Sequence, residues 1–175
     1  MNLADLSDIV EFDGKYIYSF CYKLTKNKHD SDDLYQETFL KAIELCHKID
    51  IGKNPKAYLI SIAIRLWKNN RRKYAWRQRI VRMEPLNEEQ YNASAINPET
   101  TPEDITITRE LNLMIQKAAD KLSDKYKLPL YMYYTVGLSI DDIAMALKIP
   151  SGTVKSRLHR ARRSLKNELE VSNYG

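Results

Sequence analysis

The stretch IPSGTVKSRLHRARRSLKNEL, residues 149–169, concentrates side chains that bind nucleic acid: Lys, Arg, Ser, Thr and His, with no acid before Glu168. Advancing 100° per residue places Val154, Leu158, Ala161 and Leu165 on one apolar stripe. Opposite this stripe or at its edges lie Thr153, Lys155, Ser156, His159, Arg160 and Arg163. Cationic groups bind phosphates, and these polar groups can hydrogen-bond to base edges. The pattern predicts a helix with one face in protein and the other on DNA.

The segment before this helix, GLSIDDIAMALKIP, predicts the element that would position it. Ser139 can cap a short helix, and Asp141 and Asp142 favour the positive end of that helix. A tight turn at residues 148–150 follows, and Ser151 is the expected N-cap of the basic helix. Two helices joined in this way form a helix-turn-helix, whose second helix enters the major groove. A basic helix alone would more simply be a solvated surface helix; the capped pair favours DNA binding.

Two further helices are predicted nearer the N-terminus. In HDSDDLYQETFLKAIELCHKI, Asp30 or Ser31 is the expected cap. The apolar stripe of this helix is predicted to contain Tyr35, Phe39, Ala42, Ile43 and Cys46. Away from that stripe lie Asp33, Gln36, Glu37 and Leu40. Acids on a helix surface usually serve only solvation, so this face is uninformative by itself.

The segment KNPKAYLISIAIRLWKNNRRKYAWRQR predicts an apolar helix with a basic end. Its cationic side chains alternate with Tyr74 and Trp76. Single-stranded nucleic acid binds such surfaces because bases stack on aromatic rings while cations follow the phosphates. Simple packing of the aromatic side chains is the alternative; it is favoured for Trp67 and left open for Trp76.

Charge divides the 175-residue chain, whose formal net charge is +5. Residues 51–83 contain ten Lys or Arg and no acid, whereas residues 84–108 contain six acids and no Lys or Arg. The acidic segment is rich in Pro, Asn and Thr, which is typical of a linker. We therefore predict an all-α chain with two small helical domains, at residues 1–83 and 107–175, joined by an extended acidic linker at residues 84–106.

Several protein classes fit the sequence poorly. Cys21 and Cys46 form no CxxC pair, so reduced, buried thiols are expected rather than a metal site or disulfide framework. The N-terminus lacks the features of a signal peptide, and no apolar run is long enough for a membrane span, which predicts a cytoplasmic protein. No nucleophile has acid or base partners, and the three histidines lack metal-ligand spacing. No catalytic residue, metal, cofactor or small-molecule substrate is therefore expected.

Together these motifs resemble the sigma-70 family. DSDDLYQETFLKAIE resembles the polymerase-binding helix of region 2, and AYLISIAIRLWKNNRRK resembles the following helix, which recognises the −10 element. Residues 122–166 resemble region 4, which binds the −35 element. With only these two regions and a short linker, the chain is similar to the extracytoplasmic function (ECF) sigma factors of bacteria.

The resemblance implies a role for individual residues. Those implied to bind the clamp of the polymerase β′ subunit are Asp33, Gln36, Glu37 and Leu40. Those implied to bind the −10 element are Asn54, Lys56, Arg65, Lys68, Asn69, Arg71 and Arg72, the first two in a loop that captures a flipped base. Those implied to bind the −35 element are Thr153, Lys155, Ser156, His159, Arg160 and Arg163. The chain departs from the family in having Ile64-Arg65 where an Arg-Asn pair is frequent, which leaves its −10 sequence preference open.

The partners implied by the resemblance are core RNA polymerase, through its β′ clamp and β subunits, promoter DNA and an anti-sigma factor. A stand-alone helix-turn-helix regulator that binds an operator as a dimer is the alternative. It would require an N-terminal dimerisation or ligand domain. An enzyme such as a DNA recombinase is a third class, which the missing catalytic cluster disfavours.

Overall fold

The computed structural model describes residues 3–48, 54–80 and 102–173, with side chains at 5–47, 54–80 and 111–171. The helices are α1 Leu3–Thr25, α2 Lys28–Leu45, α3 Pro55–Ile80, α4 Pro102–Asp120, α5 Asp124–Tyr134, α6 Ile140–Leu147 and α7 Ser151–Asn173. A short 3-10 turn, Cys46–Lys48, follows α2. These ranges contain no strand, so the all-α prediction is confirmed. Most of the predicted linker, residues 84–101, lies outside the described residues, and α4 begins before its predicted end.

Helices α1, α2 and α3 pack on one another and form the N-terminal unit. Their apolar faces meet around Ile17, Phe20, Leu59 and Ile60, all fully buried. Burial of each such side chain contributes about 1.5–3 kcal/mol relative to exposure. None of the described helices is both long and apolar enough to cross a membrane.

The predicted N-cap of α2 is wrong: Asp30 and Ser31 lie three and four residues after the observed cap. Asn27 caps the helix, because its Oδ1 accepts a hydrogen bond of 2.8 Å from the backbone N–H of Asp30. Ser31 lies inside the first turn, fully buried, and its hydroxyl donates to the carbonyl of Asn27 at 2.5 Å. Several residues in succession could cap this helix. Lys26 turns the chain with a φ of 63° at the end of α1, so that Asn27 is the residue at the start of α2.

The buried stripe of α2 also differs from the prediction. Leu34, Thr38 and Ala42 are buried, whereas Ile43 is 45% exposed. Thr38 satisfies its hydroxyl within the helix, donating to the carbonyl of Leu34 at 2.7 Å. A buried polar group costs little once it is hydrogen-bonded, so a threonine can occupy a core position that a hydrophobic pattern does not reveal.

The C-terminal unit contains α4–α7, in which α4, α5 and α6 all contact α7. Val154, Leu158 and Ala161 are buried, which confirms the predicted apolar stripe of α7. Pro129 lies inside α5 and is buried, so it does not mark the start of that helix. Its ring fills core space at a position where the helix gives up one backbone hydrogen bond.

The predicted helix-turn-helix is present as α6, a tight turn and α7. Ser139 caps α6, accepting a 3.1 Å hydrogen bond from the backbone N–H of Asp142. Lys148 adopts a left-handed conformation that ends α6. The predicted cap of α7 is wrong: Ser151 is the first helical residue, and its hydroxyl donates to Asp141 at 2.7 Å. The carbonyl of Pro150 accepts the first backbone hydrogen bonds of α7, from residues 153 and 154.

The two units contact each other directly. Their buried apolar side chains belong to one continuous cluster, in which α3 packs against α6 and α1 against α5. Polar side chains also contact each other between the two units. Lys26, which follows α1, pairs with Asp120 at 2.9 Å. The ammonium of Lys23 lies 5.3 Å from the ring centroid of Tyr131. The sequence did not predict this contact.

The cysteines should differ in reactivity. Cys21 is fully buried in α1, and burial raises the pKa of its thiol to about 12, whereas Cys46 is partly exposed. Only the thiolate is nucleophilic, so Cys21 should resist Ellman's reagent in the native protein. We expect one fast thiol before denaturation and two after it, and Cys46→Ser should remove the fast one. Two equally fast thiols in the native protein would contradict this burial.

Candidate nucleic-acid interface

The outer face of α7 carries the residues predicted to read the −35 element. Lys155, Ser156, His159, Arg160 and Arg163 are exposed, and Thr153 is partly exposed. All six residues lie within the first four turns of α7, and Gly152 beside them is exposed with open space above its Cα. The helix therefore presents its polar side chains near its N-terminus, as a recognition helix requires.

Arg160 has one described partner. Its guanidinium donates to the Tyr126 hydroxyl of α5 at 3.4 Å, and this hydrogen bond lowers the pKa of Tyr126. The contact holds the arginine along the helix flank. A bond of this length between exposed groups is weak, so the side chain can exchange the phenol for a phosphate or a guanine edge.

Four of the predicted −10 residues share one side of α3. Arg65, Lys68, Asn69 and Arg72 are spaced i, i+3, i+4 and i+7, which places them on one stripe. Arg65, Lys68 and Arg72 are exposed, and Asn69 is partly exposed and accepts a hydrogen bond from Arg72. The stripe therefore presents three cations and an amide to one partner surface.

Arg71 lies outside that stripe and is already engaged. Its guanidinium carbon is 4.5 Å from the ring centroid of Trp67, and its Nη1 is 2.8 Å from a carboxylate oxygen of Asp124 in the C-terminal unit. Lys68, Arg71, Arg72 and Asp124 line a cleft of about 460 Å³. This cleft is cationic except for the single carboxylate.

The two residues predicted for the base-capture loop are engaged too. Asn54 caps α3, because its Oδ1 accepts from the backbone N–H groups of Lys56 at 3.1 Å and Ala57 at 3.3 Å. Its Nδ2 donates to Asp142 of α6 at 3.0 Å. The ammonium of Lys56 pairs with Asp13 at 2.9 Å. Residues 49–53 of the same loop lie outside the described residues.

The predicted polymerase-binding residues form one exposed face of α2. Asp33, Gln36, Glu37 and Leu40 follow the i, i+3, i+4, i+7 spacing and are all exposed, Leu40 by 61%. An apolar groove of about 490 Å³ adjoins this face, lined by Leu6, Ser7, Val10, Tyr35, Gln36, Phe39, Leu40 and Ile43. The periodicity of a single helix does not reveal this groove, because its lining residues belong to two helices, α1 and α2.

The two tryptophans differ in their exposure to solvent. Trp67 is 8% exposed and packed, as expected, whereas Trp76 is 66% exposed near the end of α3. Tyr74 is 64% exposed, and its hydroxyl accepts from Gln78 at 2.7 Å. Exposed aromatic rings beside Arg77 and Arg79 are the arrangement on which bases stack.

One small group of possible metal ligands is also exposed. His29, Asp30 and Asp33 bring their ligand atoms within 4.8 Å of one another at the start of α2. All three side chains face solvent, and His29 lies 3.3 Å from Asp33. Exposed acids at a helix N-terminus are common without a metal, so we assign none.

The fold and these surfaces define a two-unit helical protein with a helix-turn-helix and a separate basic helix. Family models of sigma-70 region 2 and sigma-70 region 4 match residues 10–77 and 112–165. The chain is 32% identical to the ECF RNA polymerase sigma factor SigW of Bacillus subtilis, across 93% of this chain and 88% of that one. It is 30% identical to SigE of Mycolicibacterium smegmatis, across 93% of this chain and 60% of that one. The chain belongs to the ECF sigma factors of the sigma-70 family.

Solved structures share the fold. The sigma factor RpoE from Bartonella quintana, in complex with the anti-sigma factor NepR, superposes with a TM-score of 0.72 at 22% identity and covers 97% of this chain and 99% of its own. CnrH, in complex with the cytosolic domain of CnrY, superposes with a TM-score of 0.67 at 17% identity, covering 97% and 90%.

Arg160→Ala should weaken binding to a duplex that contains the −35 element by about 1–3 kcal/mol, because one base or phosphate contact is lost. Fluorescence anisotropy with labelled duplex measures this. Arg162→Ala is the matched control, since it removes the same charge from α7 but its guanidinium is held by Tyr134 at 2.7 Å. Equal losses from the two variants would remove Arg160 from the reading face.

Proposed function

We propose that this protein is a bacterial transcription initiation factor that binds core RNA polymerase and directs it to promoters through −10 and −35 elements. The observation that carries the proposal is the presence, in one ECF chain, of separate exposed faces on α2, α3 and α7. One face is acidic and apolar, and the other two are basic and polar. A protein that binds only DNA would not require the acidic and apolar face of α2.

The α2 face fits a protein partner. Its two acids, one amide and one exposed leucine adjoin the apolar groove between α1 and α2, where Val10 and Ile43 are 46% and 45% exposed. An apolar centre with a polar rim is the usual composition of a protein–protein interface. We assign the clamp of the polymerase β′ subunit to this face and expect the β subunit to contact the C-terminal unit.

The two basic faces fit two separate DNA elements. The α3 stripe with Tyr74 and Trp76 suits single-stranded DNA, as in a melted −10 region, and α7 suits a major groove. The 21 residues between the end of α3 at Ile80 and the start of α4 at Pro102 could span on the order of 70 Å if fully extended. Two turns of duplex measure about 70 Å. One chain can therefore bind both elements.

The protein acts by binding, without catalysis, and works in the cytoplasm, where its polymerase and DNA are found. An anti-sigma factor is a further partner, which is supported by the structural relative RpoE of Bartonella quintana, solved in complex with the anti-sigma factor NepR. The stand-alone dimeric regulator has weaker support, because the N-terminal unit presents a nucleic-acid face of its own.

The test of polymerase binding uses purified chain and bacterial core RNA polymerase in gel filtration. The wild type should co-elute with core, and the triple variant Asp33→Ala, Gln36→Ala, Glu37→Ala should not, because it loses the polar part of the α2 face. The control, Asp8→Ala with Glu170→Ala, removes two exposed carboxylates from α1 and α7 and should still co-elute. If the wild type does not co-elute with core polymerase but binds duplex DNA tightly, the protein is a free-standing regulator and the proposal is wrong.

A further inference from the structure

Two tyrosines of α5 accept hydrogen bonds from two arginines of α7. The hydroxyl of Tyr126 accepts from Nη1 of Arg160 at 3.4 Å, and the hydroxyl of Tyr134 accepts from Nε of Arg162 at 2.7 Å. Only Arg160 of these two arginines belongs to the residues predicted to bind the −35 element. Helix α5, which packs against α7, therefore also contacts one of its predicted DNA-binding side chains.

Tyr126 lies in the first turn of α5, where the surrounding structure fixes its position. Its backbone N–H donates to the carbonyl of Ser123 at 2.9 Å, and its partly buried ring packs against the apolar core. A tyrosine side chain has only two torsions, so this packing leaves its hydroxyl little freedom. The phenol is therefore a hydrogen-bond acceptor at a fixed place beside α7.

The other cations predicted to bind the −35 element are not held in this way. Lys155 and Arg163 are exposed, and neither makes a side-chain hydrogen bond or ion pair within the part of the chain that the structure describes. A long cationic side chain loses rotamer freedom when it binds a ligand, and this loss weakens the complex. Because Arg160 is already restricted before DNA arrives, it has less of this freedom to lose.

The contact leaves most of the Arg160 guanidinium available. A guanidinium has five N–H donors, and the phenol accepts from one of them. A hydrogen bond of 3.4 Å restricts the side chain without locking it, so the other donors can turn to the O6 and N7 atoms of a guanine. The hydrogen bond from Arg160 is also the largest cause of the lowered pKa of Tyr126, because the nearby cation favours the phenolate.

We infer that Tyr126 is a positioning residue for recognition of the −35 element, which holds Arg160 beside α7 and so increases discrimination between base pairs. The inference rests on the proposed −35 role of Arg160. Tyr126 acts through the arginine rather than by contacting DNA. Base contacts carry sequence information, whereas phosphate contacts do not carry it directly. Loss of the phenol should therefore reduce discrimination between DNA sequences more than affinity for unrelated DNA.

The experiment is a double-mutant cycle on the full-length chain, with the wild type, Tyr126→Phe, Arg160→Ala and the combined variant. Fluorescence anisotropy measures binding to a labelled duplex that the wild type has selected from a random-sequence library. A scrambled duplex of the same composition measures non-specific binding. Tyr126→Phe removes the hydroxyl and retains the packed ring. Tyr134→Phe is the matched control, because it removes the hydroxyl that binds Arg162.

Tyr126→Phe should weaken binding to the selected duplex roughly two- to fivefold, because the hydrogen bond that positions Arg160 is lost. Binding to the scrambled duplex should be unchanged. In the Arg160→Ala background the same substitution should have no further effect, since no guanidinium is left to position. Tyr134→Phe should leave discrimination between the two duplexes unchanged.

A second measurement tests the contact without DNA. Nuclear magnetic resonance of the chain, isotope-labelled at the tyrosine Cζ atoms, follows the titration of each phenol, and sequential assignment identifies the signal of Tyr126. Because Arg160 lowers the pKa of Tyr126, Arg160→Ala should raise that pKa. An unchanged pKa means that the contact is absent in solution and overturns the inference.

Each result of the cycle decides the inference. A loss caused by Tyr126→Phe that disappears in the Arg160→Ala background supports it. Equal losses in both backgrounds, or no loss in either, overturn it, because the phenol then acts without the arginine or has no role. Circular dichroism melts identify a variant that fails to fold, and the titration of Arg160→Ala then decides.

Failure of the inference differs from failure of the proposed function on which it rests. Weaker binding by Arg160→Ala with none by Tyr126→Phe refutes the positioning role alone. If Arg160→Ala binds the selected duplex as tightly as the wild type, the −35 role of Arg160 fails and the positioning role fails with it. Binding to core polymerase is measured separately by gel filtration and is unaffected by either result.

Discussion

Each functional helix of this protein must bury one stripe and leave another free, and this constraint organises the rest of the structure. In α7, Val154, Leu158 and Ala161 are buried while the side chains between them face outward. The first stripe fixes the helix to α4, α5 and α6, and the second is thereby held in a fixed orientation. In proteins, most of the stability of such a helix comes from packing of its apolar face rather than from helix propensity. The predicted DNA-binding surface therefore depends on the core beneath it.

The same division occurs in α2 and α3, with different chemistry. In α2 the buried stripe contains a satisfied threonine, and the free stripe is acidic with one leucine. In α3 the apolar half is buried up to Trp67, and the half from residue 70 onward is exposed throughout. The three free surfaces thus differ in sign and in aromatic content, which suits them to three different partners.

Much of this could be predicted from the sequence, because helical periodicity reports which face of a helix is buried. The α7 stripe and the exposed residues of α2 follow from it, whereas the Ser139 cap follows from the side-chain chemistry of helix starts. Periodicity does not report the partner of the buried face, so the contact between the two units was missed. Caps were misplaced where several candidates stand together: Asn27, Asp30 and Ser31 can all cap a helix, and the left-handed turn at Lys26 selects the first.

A sigma factor directs core RNA polymerase to particular promoters, and this chain should do so with purified components. The most direct measurement is transcription in vitro on fragmented genomic DNA of the source organism, with core polymerase alone and with the chain added, followed by sequencing of RNA 5′ ends. We expect new 5′ ends that share two upstream sequence elements at a constant spacing and appear only with the chain. A pattern of 5′ ends identical to that of core alone would contradict it.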